Sequence, residues 1–324
     1  MLLKPLQEIW LLLLSVGGIF TIGLIDDLRS LKASTKLIAQ IVIASLLLTV
    51  GYRLGWSESQ TLDTMLTLFW IVGITNAFNL LDNMDGLCAG VALIAGSALL
   101  AGIITTGGIG PESFYLAVLL GGVAGFLFFN YHPARVFLGD SGSLLVGLSL
   151  SVLPLHLGDG PEPGTGVLSI VAAPVMVLLI PIGDTLLVTV SRLLSGRSPA
   201  HGGTDHSSHR LVAIGLSPRR AVAVLWGLAA VGGVLGFAID RFTEEVMAVT
   251  GLLFVMAIVI FGVYLSQVRV YEDEDDIQSE RQKLTPLVID FPYKRRVAEI
   301  LLDVGLVLVA YYAAFRLRFG PVSY

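Results

Sequence analysis

Uncharged stretches of about membrane length follow one another along most of the chain, separated by short polar segments. Nine of them cover residues 9–25, 37–52, 64–81, 86–109, 113–130, 141–155, 167–183, 221–239 and 246–267. An α-helix needs ~20 apolar residues to cross the hydrocarbon core, and the seventh stretch reaches that length by continuing to residue 190. A tenth stretch, residues 297–315, carries Glu299 and Asp303 in its first turns. The pattern predicts an all-α fold, a polytopic transmembrane bundle of about ten helices.

The composition narrows the class of protein further. Only 14% of the residues are charged and 55% are hydrophobic, whereas soluble domains carry roughly 25% charged residues. With 20 Lys and Arg against 25 Asp and Glu, the chain offers no basic field for nucleic acid. A single cysteine, Cys88, excludes an intramolecular disulfide framework. These values indicate a protein surrounded by membrane lipids, with no nucleic acid as a partner.

Lysine and arginine are distributed unequally between alternate connections. Fifteen lie on one side of the predicted bundle and five on the other. Because positive residues accumulate on the cytoplasmic side of membrane proteins, we expect the richer side to face the cytoplasm and the amino terminus to lie outside. The expected location is the inner (plasma) membrane, with several passes through it.

Carboxylates cluster at helix ends on this cytoplasmic side. They are Asp26 and Asp27, Asp82 and Asp85, Asp140, and Asp184, and a loop at 201–210 adds histidines and an arginine. Ionisable groups are costly at membrane depth and usually mark a site or a pathway. Aspartate oxygens suit a hard cation such as Mg²⁺, which could bridge the acids to a phosphate. This side of the protein therefore suggests phosphoryl transfer at the membrane surface.

Five ordered motifs on the same side resemble the polyprenyl-phosphate N-acetylhexosamine 1-phosphate transferases, which form glycosyltransferase family 4. They read GLIDD (23–27) followed by KLIAQ (36–40), NAFNLLDNMDG (76–86), FNYHPARVFLGDSGSL (129–144), PIGDT (181–185) and DHSSHRL (205–211). The resemblance implies transfer of a sugar 1-phosphate, with N-acetylglucosamine favoured, from a UDP-N-acetylhexosamine to undecaprenyl phosphate, releasing UMP. It also implies Mg²⁺, with Mn²⁺ as an alternative, a role at the start of envelope polysaccharide or lipopolysaccharide synthesis, and compatibility with a homodimer.

The resemblance also assigns roles to individual residues. Catalytic positions correspond to Asp26, Asp27, Asp82 and Asp85, and the metal ligand corresponds to Asp140. Substrate-binding positions correspond to Asn79, to Asn130 and Phe137 around the uracil, and to Asp205, His206, His209 and Arg210 beside the sugar diphosphate. Structural explanations stay open for several of them. Adjacent aspartates can end a helix at the interface, Asp82 and Asp85 can form a turn, and Asp140 can cap a helix.

A single displacement is the expected mechanism, in which Asp26 accepts the proton of the lipid phosphate or orients its dianion. A covalent phospho-sugar intermediate on an aspartate is the alternative.

Two other classes of protein stay open. One is a noncatalytic membrane anchor or assembly subunit, and the other is a transporter, whose carboxylates should lie near the membrane midplane.

The resemblance changes along the chain and so suggests its division. We expect a membrane-embedded transferase domain at 1–267, a charged cytoplasmic connector at 268–296, and a further transmembrane helix within 297–324. The last part resembles the membrane start of polysaccharide-biosynthesis epimerase and dehydratase proteins, which suggests a fusion. Members of the transferase family usually begin with two further helices before the Asp-Asp motif, so Met1 is expected to be an internal start or a fragment boundary.

Overall fold

Eleven α-helices and one short β-ribbon form the part of the chain that the computed structural model describes, residues 3–157, 167–194, 203–239 and 241–268. The helices are α1 (Leu3–Arg29), α2 (Ala33–Thr49), α3 (Gln60–Leu81), α4 (Leu87–Gly107), α5 (Pro111–Asn130), α6 (Gly139–Val152), α7 (Val167–Val177), α8 (Leu179–Leu194), α9 (Ser207–Ala213), α10 (Pro218–Ala238) and α11 (Glu244–Ser266). The ribbon pairs β1 (Tyr52–Arg53) with β2 (His156–Leu157) in antiparallel orientation.

Six helices within these ranges are long and apolar enough to cross a membrane: α1, α3, α4, α5, α10 and α11. The prediction of a helical membrane protein is therefore confirmed. The expected total of about ten transmembrane helices is not confirmed, because residues 297–315 and the connector after residue 268 lie outside the described residues. The histidine loop also contains the short helix α9, which the apolar pattern did not predict.

The seventh apolar stretch forms two helices, α7 and α8, rather than one. The break lies at Leu178, between Pro174 inside α7 and Pro181 in the first turn of α8. Pro181 has no N–H to donate to the carbonyl of Val177, so the helical hydrogen-bond ladder is interrupted at this point. Pro181 therefore accounts for the break.

Helix α6 is short and lies inside the bundle. It has 14 residues, a length of about 21 Å at the rise of an α-helix, and nine of them are buried. Small side chains let its neighbours approach closely. A Cβ on Gly147 would lie 2.8 Å from the Cα of Thr75 in α3. Two hydrogen bonds hold the C-terminal half of α6. Tyr115 of α5 contacts Ser149 Oγ at 2.6 Å, and Trp70 of α3 donates to the Ser151 carbonyl at 2.9 Å.

The bundle has two distinct ends. At one end, the β-ribbon joins the α2–α3 connection to the segment after α6, and Arg241 donates to Thr105 Oγ1 at 2.7 Å. At the other end, the α1–α2, α3–α4 and α5–α6 connections and α9 come together through side-chain hydrogen bonds. All five sequence motifs have residues at this second end, which we call the motif end.

Helix α1 approaches the first turn of α6 so closely that only glycine fits between them. A Cβ built on Gly23 would lie 2.5 Å from the carbonyl oxygen of Asp140 and 2.5 Å from the Cα of Ser141. Both of these are backbone atoms, which cannot rotate out of the way. Gly23 thus sets the distance between the Asp-Asp motif and Asp140.

We predict that Gly23→Ala forces α1 and α6 apart and lowers stability by about 1–3 kcal/mol, the usual cost of overpacking. The matched control is Gly17→Ala, since Gly17 lies on the same helix and a Cβ there meets nothing within 4 Å. Thermal unfolding of the purified protein in detergent measures both variants. Equal unfolding midpoints for the two would contradict the close approach.

Candidate active site

The ammonium group of Lys36 joins two of the predicted acidic residues. Its Nζ lies 2.7 Å from Asp26 Oδ2 and 2.7 Å from Asp140 Oδ2. Lys36 belongs to α2, Asp26 to α1 and Asp140 to α6, so one side chain connects three helices. Asp26 is held further by the backbone N–H of Leu31, which donates to Oδ1. Residues 104 positions apart in sequence thus meet at one point.

Asp27 fixes the first turn of α6. Its two carboxylate oxygens accept the backbone N–H groups of Asp140 (2.8 Å) and Ser141 (3.0 Å). A carboxylate at this position satisfies helix N–H groups that have no partner within the helix and faces the positive end of the helix dipole. Gly139 precedes these groups with a φ of 65°, and a Cβ there would lie 2.8 Å from Asp27 Oδ2. The first N–H groups of α6 are therefore capped by Asp27 of α1, and not by Asp140, for which the sequence left a capping role open.

Asn79 holds the second oxygen of Asp140. Its Nδ2 donates to Asp140 Oδ1 and to Ser143 Oγ, both at 2.9 Å. Because Lys36 contacts the other oxygen, the Asp140 carboxylate is fixed from both sides. Asn79, predicted to bind substrate, in this structure orients the residue predicted to bind metal.

Asp82 lies just after α3 and carries the most perturbed carboxyl at the motif end outside the membrane-crossing helices. Burial, together with the negative charges of Asp140 and Asp27, raises its pKa to about 7, although a backbone N–H of Gly139 favours the carboxylate. Burial is the largest of these causes, so the negatively charged form of Asp82 is poorly solvated here. A bound cation would stabilise that form.

Asp85 and Asn130 organise the connection between α5 and α6. Asp85 Oδ2 lies 2.8 Å from His132 Nδ1 and accepts the N–H of Ala134 at 3.0 Å. The buried Asn130 accepts the N–H of Gly86 (3.0 Å) and donates to the Val136 carbonyl (2.9 Å). Both residues therefore shape the connection that carries Phe137, whose ring is 75% exposed at the motif end.

The histidine loop is held by buried charged pairs. Arg192 of α8 makes a two-pronged contact with Asp205, at 2.9 Å and 2.6 Å. Burial raises the pKa of Asp205, but this guanidinium outweighs it and leaves the pKa below its ordinary value. Arg210 donates to the carbonyls of Asp205, Leu265 and Val268, and so ties α9 to the end of α11.

The two predicted histidines occupy different environments. His206 is buried, with Nδ1 2.8 Å from Asp184 Oδ2, and Asp184 also accepts the N–H of Ser207 at 2.7 Å. His209 is half-buried, and burial followed by the charge of His206 lowers its pKa. Ser208 donates to Asn83 Oδ1 at 2.6 Å and thereby connects this loop to the α3–α4 turn. Thus His206 is anchored, whereas His209 is the more accessible of the two.

Several residues of the site were not predicted to take part, among them Lys36 and His132. Lys36 belongs to the KLIAQ motif, to which the resemblance assigns no function, although a lone lysine in an apolar helix beside an Asp-Asp pair is a usable signal. The sequence indicates no function or partner for His132, and the structure pairs it with Asp85. That pair joins residues 47 positions apart, and nothing in their local sequence indicates it.

The donor atoms suit a hard cation, but they do not form a closed cage. Carboxylates of Asp26, Asp27, Asp82 and Asp140 lie around the N-terminal turn of α6. Among the described residues, no three His, Cys, Asp or Glu side chains are arranged as a ready metal site. Mg²⁺ commonly uses one or two protein carboxylates and completes its shell with water and substrate phosphates. The residues present therefore fit this ion.

Fold and site together define a polytopic helical membrane protein with an acidic centre at one end of the bundle. Residues 9–158 match the family described as glycosyl transferase family 4, and the chain belongs to this family. It is 36% identical over 224 residues to a Bacillus subtilis protein named "Probable undecaprenyl-phosphate N-acetylglucosaminyl 1-phosphate transferase". It is 37% identical over 274 residues to the decaprenyl-phosphate N-acetylglucosaminephosphotransferase of Mycolicibacterium smegmatis.

These matches cover much of the chain but less of the relatives. They include 66% of this chain and 61% of the B. subtilis protein, and 75% of this chain and 66% of the M. smegmatis protein. A phospho-N-acetylmuramoyl-pentapeptide-transferase of Lactobacillus johnsonii is 33% identical over 167 residues, which are 46% of this chain and 52% of that protein. The chain therefore spans less than two thirds of the length of each of these relatives.

The Asp82 carboxyl provides a direct test of the electrostatics of the site. In metal-free protein we expect an infrared carboxylic-acid band that disappears as the pH rises through about 7 and is missing in Asp82→Asn. The fold keeps a proton that the unfolded chain releases near 3.8, so stability should fall as the pH rises from there to about 7. A wild-type band titrating near 4 would show that burial and the neighbouring aspartates do not raise the pKa of Asp82, and would contradict this prediction.

Proposed function

We propose that this chain transfers N-acetylglucosamine 1-phosphate from UDP-N-acetylglucosamine to a polyprenyl phosphate such as undecaprenyl phosphate, releasing UMP. The observation that carries the proposal is the cluster of Asp26, Asp140, Lys36 and Asn79 at the motif end. The cluster contains carboxylates that can bind a metal cation and an ammonium group that can bind a phosphate. The relatives of the chain bear transferase names. The product would begin a membrane-bound envelope polysaccharide.

Asp140 and Asp82 are the residues we propose to hold Mg²⁺. Asp140 is fixed on both oxygens, and the carboxylate of Asp82, disfavoured by burial and by the charges of Asp140 and Asp27, would be stabilised by a cation. When bound, the ion supplies charge neutralisation for the diphosphate of the donor. Asp27 supports this arrangement by holding the backbone of Asp140 in place.

The reaction is a single displacement on the sugar-bearing phosphorus. An oxygen of the acceptor phosphate forms a bond to that phosphorus, and the bond to the oxygen of UMP breaks. A phosphate monoester is largely dianionic at neutral pH, since its second pKa is about 6, so the acceptor needs no strong base. Asp26 then orients the acceptor through Lys36. Both Asp26 oxygens already accept hydrogen bonds, which supports this role over covalent catalysis by Asp26.

We propose that the motif end faces the cytoplasm, because the connections there belong to the side with fifteen of the 20 lysines and arginines. UDP-sugars are then available directly at the site. The position of Asp26, Asp82 and Asp140 also counts against transport, since these three acids lie at helix ends and not halfway along the bundle.

The decisive assay uses membranes that contain the full-length protein, with radiolabelled UDP-N-acetylglucosamine, undecaprenyl phosphate and Mg²⁺. We expect label in the lipid extract, and a loss of roughly 10² or more in rate for Asp140→Asn, the scale of losing a strong electrostatic stabiliser. The control is Glu58→Gln, which removes an exposed carboxylate between β1 and α3 and should leave the rate unchanged.

Wild-type protein that accumulates normally but transfers no label would contradict the proposed function and favour the noncatalytic anchor. Normal transfer by Asp140→Asn would instead keep the function and remove Asp140 from the metal site. Immunoblotting of the same membranes shows that each variant has accumulated.

A further inference from the structure

The cation at the centre of the site belongs to the protein itself. Lys36 Nζ contacts one oxygen each of Asp26 and Asp140, and its side chain is 23% exposed. It therefore occupies the space between the two carboxylates while remaining reachable from solvent. Asp140 is also the residue to which the proposed function assigns the metal, so the protein's own charge and a divalent ion compete for the same oxygen.

The same molecule shows how a permanent ion pair is built. Arg192 and Asp205 are joined by two parallel contacts, and their side chains are only 5% and 7% exposed. Such a fork is geometrically fixed. A lysine, by contrast, is a compact charge on a flexible stem with three donors. Two of the three donors of Lys36 are used in the described contacts, which leaves one for another acceptor.

We propose that Lys36 is a displaceable internal cation, which neutralises Asp26 and Asp140 until a divalent ion takes over Asp140 and the ammonium turns to a phosphate oxygen of the acceptor. Lys36 is thus a positioning residue for the site as well as a direct partner of the substrate. The second part of this inference rests on the proposed function, whereas the first part concerns only cation binding.

The first experiment measures Mn²⁺ binding by electron paramagnetic resonance in purified protein without any substrate. Lys36→Met removes the charge and keeps the length of the side chain, and we expect Mn²⁺ to bind about tenfold more tightly. Lys36→Arg keeps the charge and should stay within about threefold of wild type. Lys32→Met removes an exposed charge one helical turn away and should also stay within about threefold.

Equal or weaker Mn²⁺ binding by Lys36→Met would overturn the proposal, because the charge of Lys36 would then not oppose the metal. Transferase assays separate this result from the wider function. If Lys36→Met binds Mn²⁺ more tightly but the wild type transfers no label, the internal cation is supported and the transferase function is rejected. If the wild type transfers label but Lys36→Met binds Mn²⁺ as the wild type does, the transferase function is supported and the internal cation is rejected.

A second experiment uses only the wild-type protein, in case Lys36→Met does not fold. An amine-reactive reagent followed by peptide mass spectrometry measures the labelling of Lys36 with and without Mg²⁺. Displacement from Asp140 frees the amine, so we expect its labelling to rise at least threefold while that of Lys32 stays constant. Unchanged or reduced labelling of Lys36 would overturn the proposal.

Discussion

The ion pairs of Lys36 with Asp26 and Asp140 are the interaction on which the motif end depends. Without a cation between them, two carboxylates from α1 and α6 would repel each other at the edge of a medium that screens charge poorly. The lysine converts that repulsion into a connection between three helices. Asp27 adds a second link between the same two helices by accepting the first N–H groups of α6.

Close packing and charge work together in this arrangement. Gly23 lets α1 approach α6, and this approach brings Asp27 within 3.0 Å of the α6 backbone. The geometry of Asp140 follows from these contacts and from Asn79, not from the local sequence around it. A carboxylate held this firmly loses little entropy when a ligand binds, which is a common feature of sites that act by positioning and electrostatics.

Much of the fold was readable from the sequence because a membrane imposes a simple pattern. The apolar stretches predicted the positions of the long helices, and the alternation of helix directions predicted that the acidic turns lie at one end of the bundle. What could not be read were contacts between distant residues. Asp140, one of the two partners of Lys36, lies 104 positions from it, and the whole of α4 and α5 separates Asp85 from His132 in the sequence. The break between α7 and α8 was readable in principle, since Pro181 interrupts helical hydrogen bonding.

The sequence also did not separate residues that hold the site from residues that face it. Asn130, Asp205 and Arg210 belong to motifs, yet each is buried and hydrogen-bonded to the surrounding structure. Their types suit substrate contacts equally well, so only burial and partners distinguish the two uses. Phe137 and His209 remain more open to a ligand than these three residues.

In the proposed function, a divalent cation and a phosphate of the donor meet at Asp140, at the motif end. Pulsed electron paramagnetic resonance of Mn²⁺ bound to the protein with UDP-N-acetylglucosamine, in the absence of acceptor, measures whether they do. We expect a phosphorus coupling to the metal in the wild type and its loss in Asp140→Asn. The same coupling at undiminished strength in Asp140→Asn would place the metal and its phosphate elsewhere and exclude Asp140 as their meeting point.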